Sequence, residues 1–142
     1  MFELHPQLQQ DTEVLGHFSL CQLLLMQDAQ YPWFILVPMR DAIQEVYQLS
    51  DDDQQQLWRE SAHLAEGLMQ AFAADKMNIA ALGNVVPQLH IHHIVRYRTD
   101  ASWPAPVWGK LPAIPYSATE HAALLQKLRA LPVLQHGFHW QA

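Results

Sequence analysis

The hydrophobic positions in the first third of the chain form short apolar runs separated by a turn. Val14–Asp28 is predicted to be one strand, because its apolar residues merge into a run at Leu23–Met26. Residues 28–32 carry turn-forming side chains, and the apolar run Trp33–Val37 that follows is bounded by prolines. This second run predicts a buried strand, which should pair with the first as an antiparallel hairpin.

Helical periodicity predicts three helices. A short helix is expected over Asp41–Gln48, and a long amphipathic helix over Asp51–Ala74, for which Ser50 is a suitable N-cap. One stripe of the long helix is apolar: Leu57, Leu64, Ala65, Leu68 and Phe72. The final helix should begin at the capping box Ser117–Glu120 and end near Leu131.

Two further strands are predicted between the long helix and the final helix. They are expected over Met77–Leu82 and Val86–Tyr97, with a tight turn at Gly83–Asn84. Residues 98–116 contain four prolines, which exclude regular structure, and two tryptophans that need burial; we call this segment the arm. The order of elements predicts an α+β fold with an antiparallel sheet and helices on one side, in a single domain spanning residues 1–142.

Composition narrows the class of protein. Half of the 142 residues are hydrophobic, while eight Lys and Arg against fourteen acidic residues argue against binding long nucleic acid. No apolar run approaches the roughly 20 residues of a membrane-spanning helix, and the polar start lacks the pattern of a secretory signal. The single cysteine, Cys21, excludes an internal disulfide and suits a reducing compartment. We therefore expect a cytoplasmic protein, whose ligand could still be a small anion.

Three polar side chains share one face of the last predicted strand. Alternation along the strand projects Gln88, His90 and His92 together, while the residues between them point into the core. His93 breaks this pattern and is expected on the core side. A neutral imidazole can act as a nucleophile or as a ligand near neutral pH, so this face is the candidate reactive site. The alternative is a pair of surface histidines without chemistry.

A metal site is the second alternative for the same segment. His90, His92 and His93 supply three imidazoles within four residues, a set that suits zinc, nickel or copper. However, the strand turns His93 away from the other two, and no acidic residue at ligand spacing completes the set. We favour a site without a metal or other cofactor.

The histidine segment resembles the signature of the histidine triad (HIT) family, in which three histidines alternate with hydrophobic residues. The resemblance covers about residues 14–108, and an HIT-like fold is what it implies. It is similar to one bacterial branch of the family at the following positions: Tyr31–Pro38, Asn78, Leu82–Pro87, Arg96–Tyr97, Asp100, Trp103–Pro104 and Pro106–Trp108.

The resemblance assigns roles to individual positions. His90 matches the middle histidine, the family's nucleophile, and His92 matches the third. Gln88 stands where the first triad histidine is expected. Trp33 replaces a further family histidine that lies beside the first one in space, and Val95 stands where a proline usually follows the triad.

The activity implied by the resemblance is nucleotidyl hydrolysis or transfer. His90 would attack the α-phosphate of a small nucleotide, forming a nucleotidyl-histidine that water then hydrolyses, with His92 donating to a phosphate oxygen. Gln88 can donate to phosphate but cannot protonate a leaving group, which typically costs about 10²–10⁴-fold in rate. A catalytically weakened nucleotide-binding module, with Gln88 and Trp33 as the reason, is therefore the alternative function.

Three further residues are candidate nucleotide contacts. Asn84, at the turn beside the site, could contact phosphate, or could simply be a turn residue with positive φ. Asn78 resembles a family position near the ribose, and Trp33 lies in an apolar run that could line a base pocket. Family members commonly form homodimers, so the resemblance also implies a homodimer.

Overall fold

Six strands form one antiparallel sheet in the computed structural model, which describes all residues 1–142. The elements follow in the order α1 (Pro6–Asp11), β1 (Thr12–His17), β2 (Cys21–Met26), β3 (Trp33–Pro38), α2 (Asp51–Ala71), β4 (Lys76–Ala80), β5 (Ile91–Arg96), α3 (Ala118–Arg129) and β6 (His139–Trp140). The strand order across the sheet is β4-β5-β3-β2-β1-β6, and every pairing is antiparallel. The predicted α+β fold with an antiparallel sheet is confirmed, but the expectation that the helices lie on one side of it is wrong, because α1 and α2 pack on opposite faces.

The prediction of one strand over Val14–Asp28 is wrong, because the segment forms β1 and β2, which pair with each other. The turn between them is stabilised from outside. The buried carboxylate of Glu60, on α2, accepts hydrogen bonds from the main-chain N–H groups of Leu20 and Cys21 at 3.0 and 2.9 Å. Ser19 is the one residue of this turn with a typical turn preference. Local sequence therefore carried too weak a signal for the hairpin.

Other predicted elements differ from the structure as well, and β4 ends at Ala80, two residues before the predicted Leu82. Asp41–Gln48 contains only the 3-10 turn Val46–Gln48 instead of a helix, and α2 ends at Ala71. β5 begins at Ile91, five residues later than expected, because the preceding stretch bonds to a loop: Leu89 N–H donates to the carbonyl of Ile43 at 2.9 Å.

The first helix and the last strand were not predicted. β6 pairs with β1 through Gly16, where an added Cβ would lie 2.1 Å from the carbonyl oxygen of His139, so a larger residue would separate these strands. α1 begins directly after His5, whose ring accepts a hydrogen bond from Gln7 N–H as an N-cap. Both elements are short, and neither shows the periodicity of a longer helix or strand.

The central strands of the sheet are covered on both faces, so that every residue of β3 and β5 is buried. One face packs against α2 through an apolar cluster that includes Phe34 and Leu57. The other face, which carries Ile35 and Ile94, is covered by Leu8 of α1 and by Val107 of the arm. We call this second side the arm face.

Candidate active site

His90 and His92 lie side by side on the arm face, at the start of β5. Their ring centroids are 5.0 Å apart with an interplanar angle of 73°, and the two residues are 7% and 5% exposed. His92 is opposite Ile35 of β3 and Ala80 of β4 in the sheet register. The expectation that alternation along the strand brings these two histidines together is confirmed.

The ring of His90 is oriented by a main-chain carbonyl. Its Nδ1 lies 2.7 Å from the carbonyl oxygen of Gln88. Because a carbonyl only accepts, Nδ1 must carry the proton and donate. In the neutral ring the lone pair therefore lies on Nε2, which is the arrangement that a nucleophilic imidazole requires.

His92 lies against two indole rings. The indole Nε1 of Trp33 donates to its Nδ1 at 2.9 Å, and the ring centroids of Trp33 and Trp108 lie 5.7 and 5.0 Å from its own. Burial, with smaller contributions from His90 and His93, lowers the pKa of His92 to about 3. The imidazole is consequently neutral at physiological pH.

The arm carries Trp108 to the site and is fastened by a buried ion pair. Arg96, at the end of β5, binds Asp100 through two N–O contacts of 2.8 and 3.1 Å, and the two side chains are 1% and 3% exposed. Burial alone would raise the pKa of Asp100, but hydrogen bonds from Arg96, Tyr97 and Ser102 outweigh it and lower that pKa. The pair fixes the turn from which the arm crosses the sheet.

The side chain of Gln88 is bound to the N-terminal segment. Its Oε1 accepts from the N–H of His5, and its Nε2 donates to the carbonyl of Glu3, both at 2.9 Å. These two bonds hold the segment before α1 beside the histidine strand. With both bonds kept, the second hydrogen on Nε2 is the only donor that the Gln88 amide could offer to a phosphate.

The three candidate nucleotide contacts occupy different surroundings. Trp33 is 8% exposed and lies against Trp108, with ring centroids 5.8 Å apart. Asn78 of β4 is opposite Ile94 of β5, and its Oδ1 accepts a hydrogen bond from Arg96 at 2.8 Å. Asn84 is exposed, and the positive φ of this turn belongs to Gly83, so the alternative in which Asn84 adopts positive φ is wrong. Of the three, the structure brings only Trp33 into contact with a site histidine.

His93 points to the opposite side of the sheet, as the alternation predicted. Its Nε2 lies 2.7 Å from the hydroxyl of Ser61 on α2, and its Nδ1 donates to the carbonyl of Ile91 at 3.0 Å. Burial lowers its pKa to about 4, although the bond to Ile91 opposes this shift. The structure contains no group of three His, Cys, Asp or Glu side chains placed to hold a metal ion, and His93 is separated from the other two imidazoles by the sheet.

Sequence reasoning missed two features of this site. One is the contact of Trp108 with His92, for which the only sequence signal was a tryptophan in a proline-rich segment that needed burial. The other is the hydrogen bond from Trp33, since an apolar run around a tryptophan gives no sign that its N–H reaches a histidine 59 positions later.

Comparison with known families and structures identifies the class of protein. Residues 7–99 match the model of the HIT domain, and the chain belongs to this family. HIT proteins are generally nucleotide-binding hydrolases or transferases. None of the helices combines the length and the apolar character needed to cross a bilayer.

Three solved structures of bacterial histidine triad proteins share the fold. The protein from Marinobacter aquaeolei is 52% identical, with a TM-score of 0.91 over 96% of this chain and 98% of its own. The Bradyrhizobium japonicum protein is 42% identical, with a TM-score of 0.88 over 90% and 96%. The Sinorhizobium meliloti protein is 44% identical, with a TM-score of 0.87 over 90% and 95%. Among curated proteins, none matches this sequence.

Proposed function

We propose that this protein is a nucleotidyl hydrolase or transferase that acts at the α-phosphate of small nucleotides through a covalent intermediate on His90. The observation that carries the proposal is the hydrogen bond from His90 Nδ1 to the carbonyl of Gln88. In the neutral ring it leaves the lone pair on Nε2, beside a second imidazole on a largely buried face. The family's general association with nucleotides supplies the substrate class.

The proposed reaction has two displacements at phosphorus. Nε2 of His90 forms a bond to the α-phosphorus while the bond to the leaving group breaks, and the leaving group departs with the electron pair. A water or an acceptor alcohol then forms a new P–O bond as the P–N bond breaks, and its proton passes to bulk water. His92 is the proposed donor to the phosphate oxygens, where negative charge must be stabilised during both steps.

The state of Gln88 predicts which substrates react. An amide cannot protonate a leaving group, and this one is also bound to the backbone of Glu3 and His5. Substrates whose leaving group departs without a proton should therefore react fastest. Loss of a general acid typically costs about 10²–10⁴-fold for the others.

A nucleotide-binding module without turnover is the alternative function, and the occupied Gln88 amide is the observation that favours it. In that case the two histidines would hold a phosphate group without displacing anything from it. Measuring nucleotide binding and product formation on the same protein distinguishes the two proposals.

The candidate phosphate contact Asn84 is retained in this proposal. Its side chain is exposed and makes no hydrogen bond within the protein, so it is free to meet a ligand. Asn78 already bonds to Arg96 and Trp33 is only 8% exposed, so their predicted contacts with ribose and base rank below that of Asn84.

A homodimer is proposed on the basis of the edge strand β4. The outer side of this strand has no partner in the sheet, and Ile79, Leu82 and Val85 on or after it are exposed. Unpaired strand edges with apolar side chains commonly pair with a second copy. Light scattering on the natural chain and on Ile79→Lys should show a dimer and a shift toward monomer; a monomeric natural chain would refute the dimer.

The activity test uses three substrates: adenosine phosphoramidate, a diadenosine polyphosphate and a nucleotide ester with an activated leaving group. Chromatography measures product, and mass spectrometry after an alkaline quench detects a nucleotidyl adduct. His90→Ala should abolish both signals, while His136→Ala, which removes an exposed histidine, should keep them. Turnover that survives in His90→Ala would refute the assignment of the nucleophile. Nucleotide binding by the natural chain, without product from any substrate, would instead identify the binding module.

A further inference from the structure

Trp33 is placed so that its indole N–H can act on the chemistry of His92. The two nitrogens are 2.9 Å apart, and both residues are at least nine-tenths buried. Water therefore competes little for either atom, and a hydrogen bond in such surroundings is stronger than the same bond in solvent.

The chemistry of the donor determines where the proton of His92 lies. An indole N–H donates and cannot accept. Nδ1 of His92 must therefore be the unprotonated acceptor, and the single proton of the neutral ring must be on Nε2. A histidine at position 33 could have played either role, so the tautomer would not have been determined by the residue type.

We propose that Trp33 is a positioning residue that holds His92 in the tautomer with its proton on Nε2, so that His92 meets the ligand as a neutral hydrogen-bond donor. The consequence for catalysis rests on the proposed function, but the tautomer itself does not. His90 is held in the opposite tautomer by the carbonyl of Gln88. Two adjacent rings thus present one lone pair and one N–H, which are the two groups that attack on phosphorus requires.

The indole is itself held in place. Trp33 is the first residue of β3 and lies opposite Ile94 of β5. The edge-to-face rings of Tyr31 and Trp108 flank it at centroid distances of 6.4 and 5.8 Å. With backbone and ring both fixed, the N–H cannot turn away from His92 without disrupting this aromatic cluster.

The arrangement also disfavours a charged His92. Protonation would place an N–H on Nδ1, facing the indole N–H across 2.9 Å. Neither group could then accept, and one buried hydrogen bond would be replaced by two opposed donors. His92 should accordingly stay neutral through the reaction and should not supply the proton for a leaving group.

Nuclear magnetic resonance on ¹⁵N-labelled protein tests the tautomer directly. The natural chain should show a scalar coupling between the indole nitrogen of Trp33 and Nδ1 of His92, and ¹⁵N shifts of a single Nε2–H tautomer. Trp33→Phe keeps an aromatic ring but removes the donor, and should lose the coupling and shift the His92 nitrogens. Trp108→Phe is the matched control, because it removes an indole that contacts His92 without a hydrogen bond; the coupling should persist.

Two results would overturn the proposal. One is an Nδ1–H tautomer of His92, or no coupling, in the natural chain, a measurement that does not depend on any variant folding. The other is a Trp33→Phe protein whose His92 nitrogen shifts are unchanged. Where turnover is measurable, Trp33→Phe should lower kcat by about 5–10-fold, as expected for one lost hydrogen bond, with KM changed less. If no substrate is turned over, the proposed function fails while the tautomer result still decides the role of Trp33.

Discussion

Two buried neutral histidines should make the native state sensitive to acid. Burial lowers the pKa of His92 to about 3 and that of His93 to about 4, from an ordinary value of 6.5. Below pH 6.5 the unfolded chain binds a proton at each position and the folded chain does not. Their contribution to stability is therefore fully present above pH 6.5 and is lost as the pH falls toward the folded-state values.

The magnitude follows from the size of the shifts. Each histidine changes the free energy of unfolding by about 1.4 kcal/mol per pH unit within its window, so the two together give about 2.7 kcal/mol per unit. Between pH 6.5 and pH 4 the loss amounts to about 3 kcal/mol for each ring. The sum is comparable to the whole stability of a typical domain, about 5–15 kcal/mol.

Urea unfolding at pH 7.5, 6.5, 5.5 and 4.5 measures this slope. His93→Asn removes one of the two groups, so its slope should be shallower by about 1.4 kcal/mol per unit, even though losing the bond to Ser61 lowers stability at pH 7.5 by about 1–3 kcal/mol. His63→Asn removes an exposed histidine of α2, and its slope should match that of the natural chain. Equal slopes for His93→Asn and the natural chain would refute the reasoning, because carboxylate titration is common to all three proteins.

Three further substitutions test contacts around the site. Gln88→Ala should cost about 1–2 kcal/mol and speed amide hydrogen exchange at His5, whose N–H it leaves without a partner; unchanged exchange would show that Gln88 does not hold the N-terminal segment. Asp100→Asn leaves the guanidinium of Arg96 buried without a counter-charge and should cost about 3–5 kcal/mol by urea unfolding; a loss below about 1 kcal/mol would show that the pair does not hold the arm. Glu60→Gln turns an amide toward main-chain donors and should cost about 1–3 kcal/mol, and a neutral result would remove Glu60 as the organiser of the β1–β2 turn.

Elements decided by local chemistry were predictable from the sequence. Ser50 caps α2 by accepting from Asp53 N–H, and Ser117 and Glu120 form the predicted reciprocal capping box of α3. β3 was recognised because its apolar run is central in the sheet and buried on both faces. In each case the residues that determine the element lie within it or next to it.

Elements that depend on distant partners were not predictable. The β1–β2 turn is bonded to Glu60, about 40 residues along the chain. β6 exists because Gly16 leaves room for the carbonyl of His139. Nothing within these segments reveals those partners, so the prediction joined β1 and β2 into one strand and did not include β6.

The site shows the same division between local and distant information. Strand alternation was enough to place His90 and His92 together and to send His93 to the other side. Which nitrogen of each ring carries the proton could not be predicted from strand alternation. It depends on the carbonyl of Gln88 for one ring and on an indole from another strand for the other.

Gln88 and Trp33, the two positions where the resemblance led us to expect histidines, act in different places. Gln88 contributes its carbonyl to His90 but uses its side chain on the N-terminal segment, so it offers no proton to a leaving group. Trp33 holds His92 as a neutral donor, so His92 offers none either. What remains is one nucleophilic nitrogen and one N–H donor. This pair can stabilise attack on phosphorus, but it cannot protonate the leaving group, so the substrate must carry a leaving group that departs without a proton. The order of reactivity across leaving groups is therefore the property that reports most directly on the proposed roles of Gln88 and Trp33.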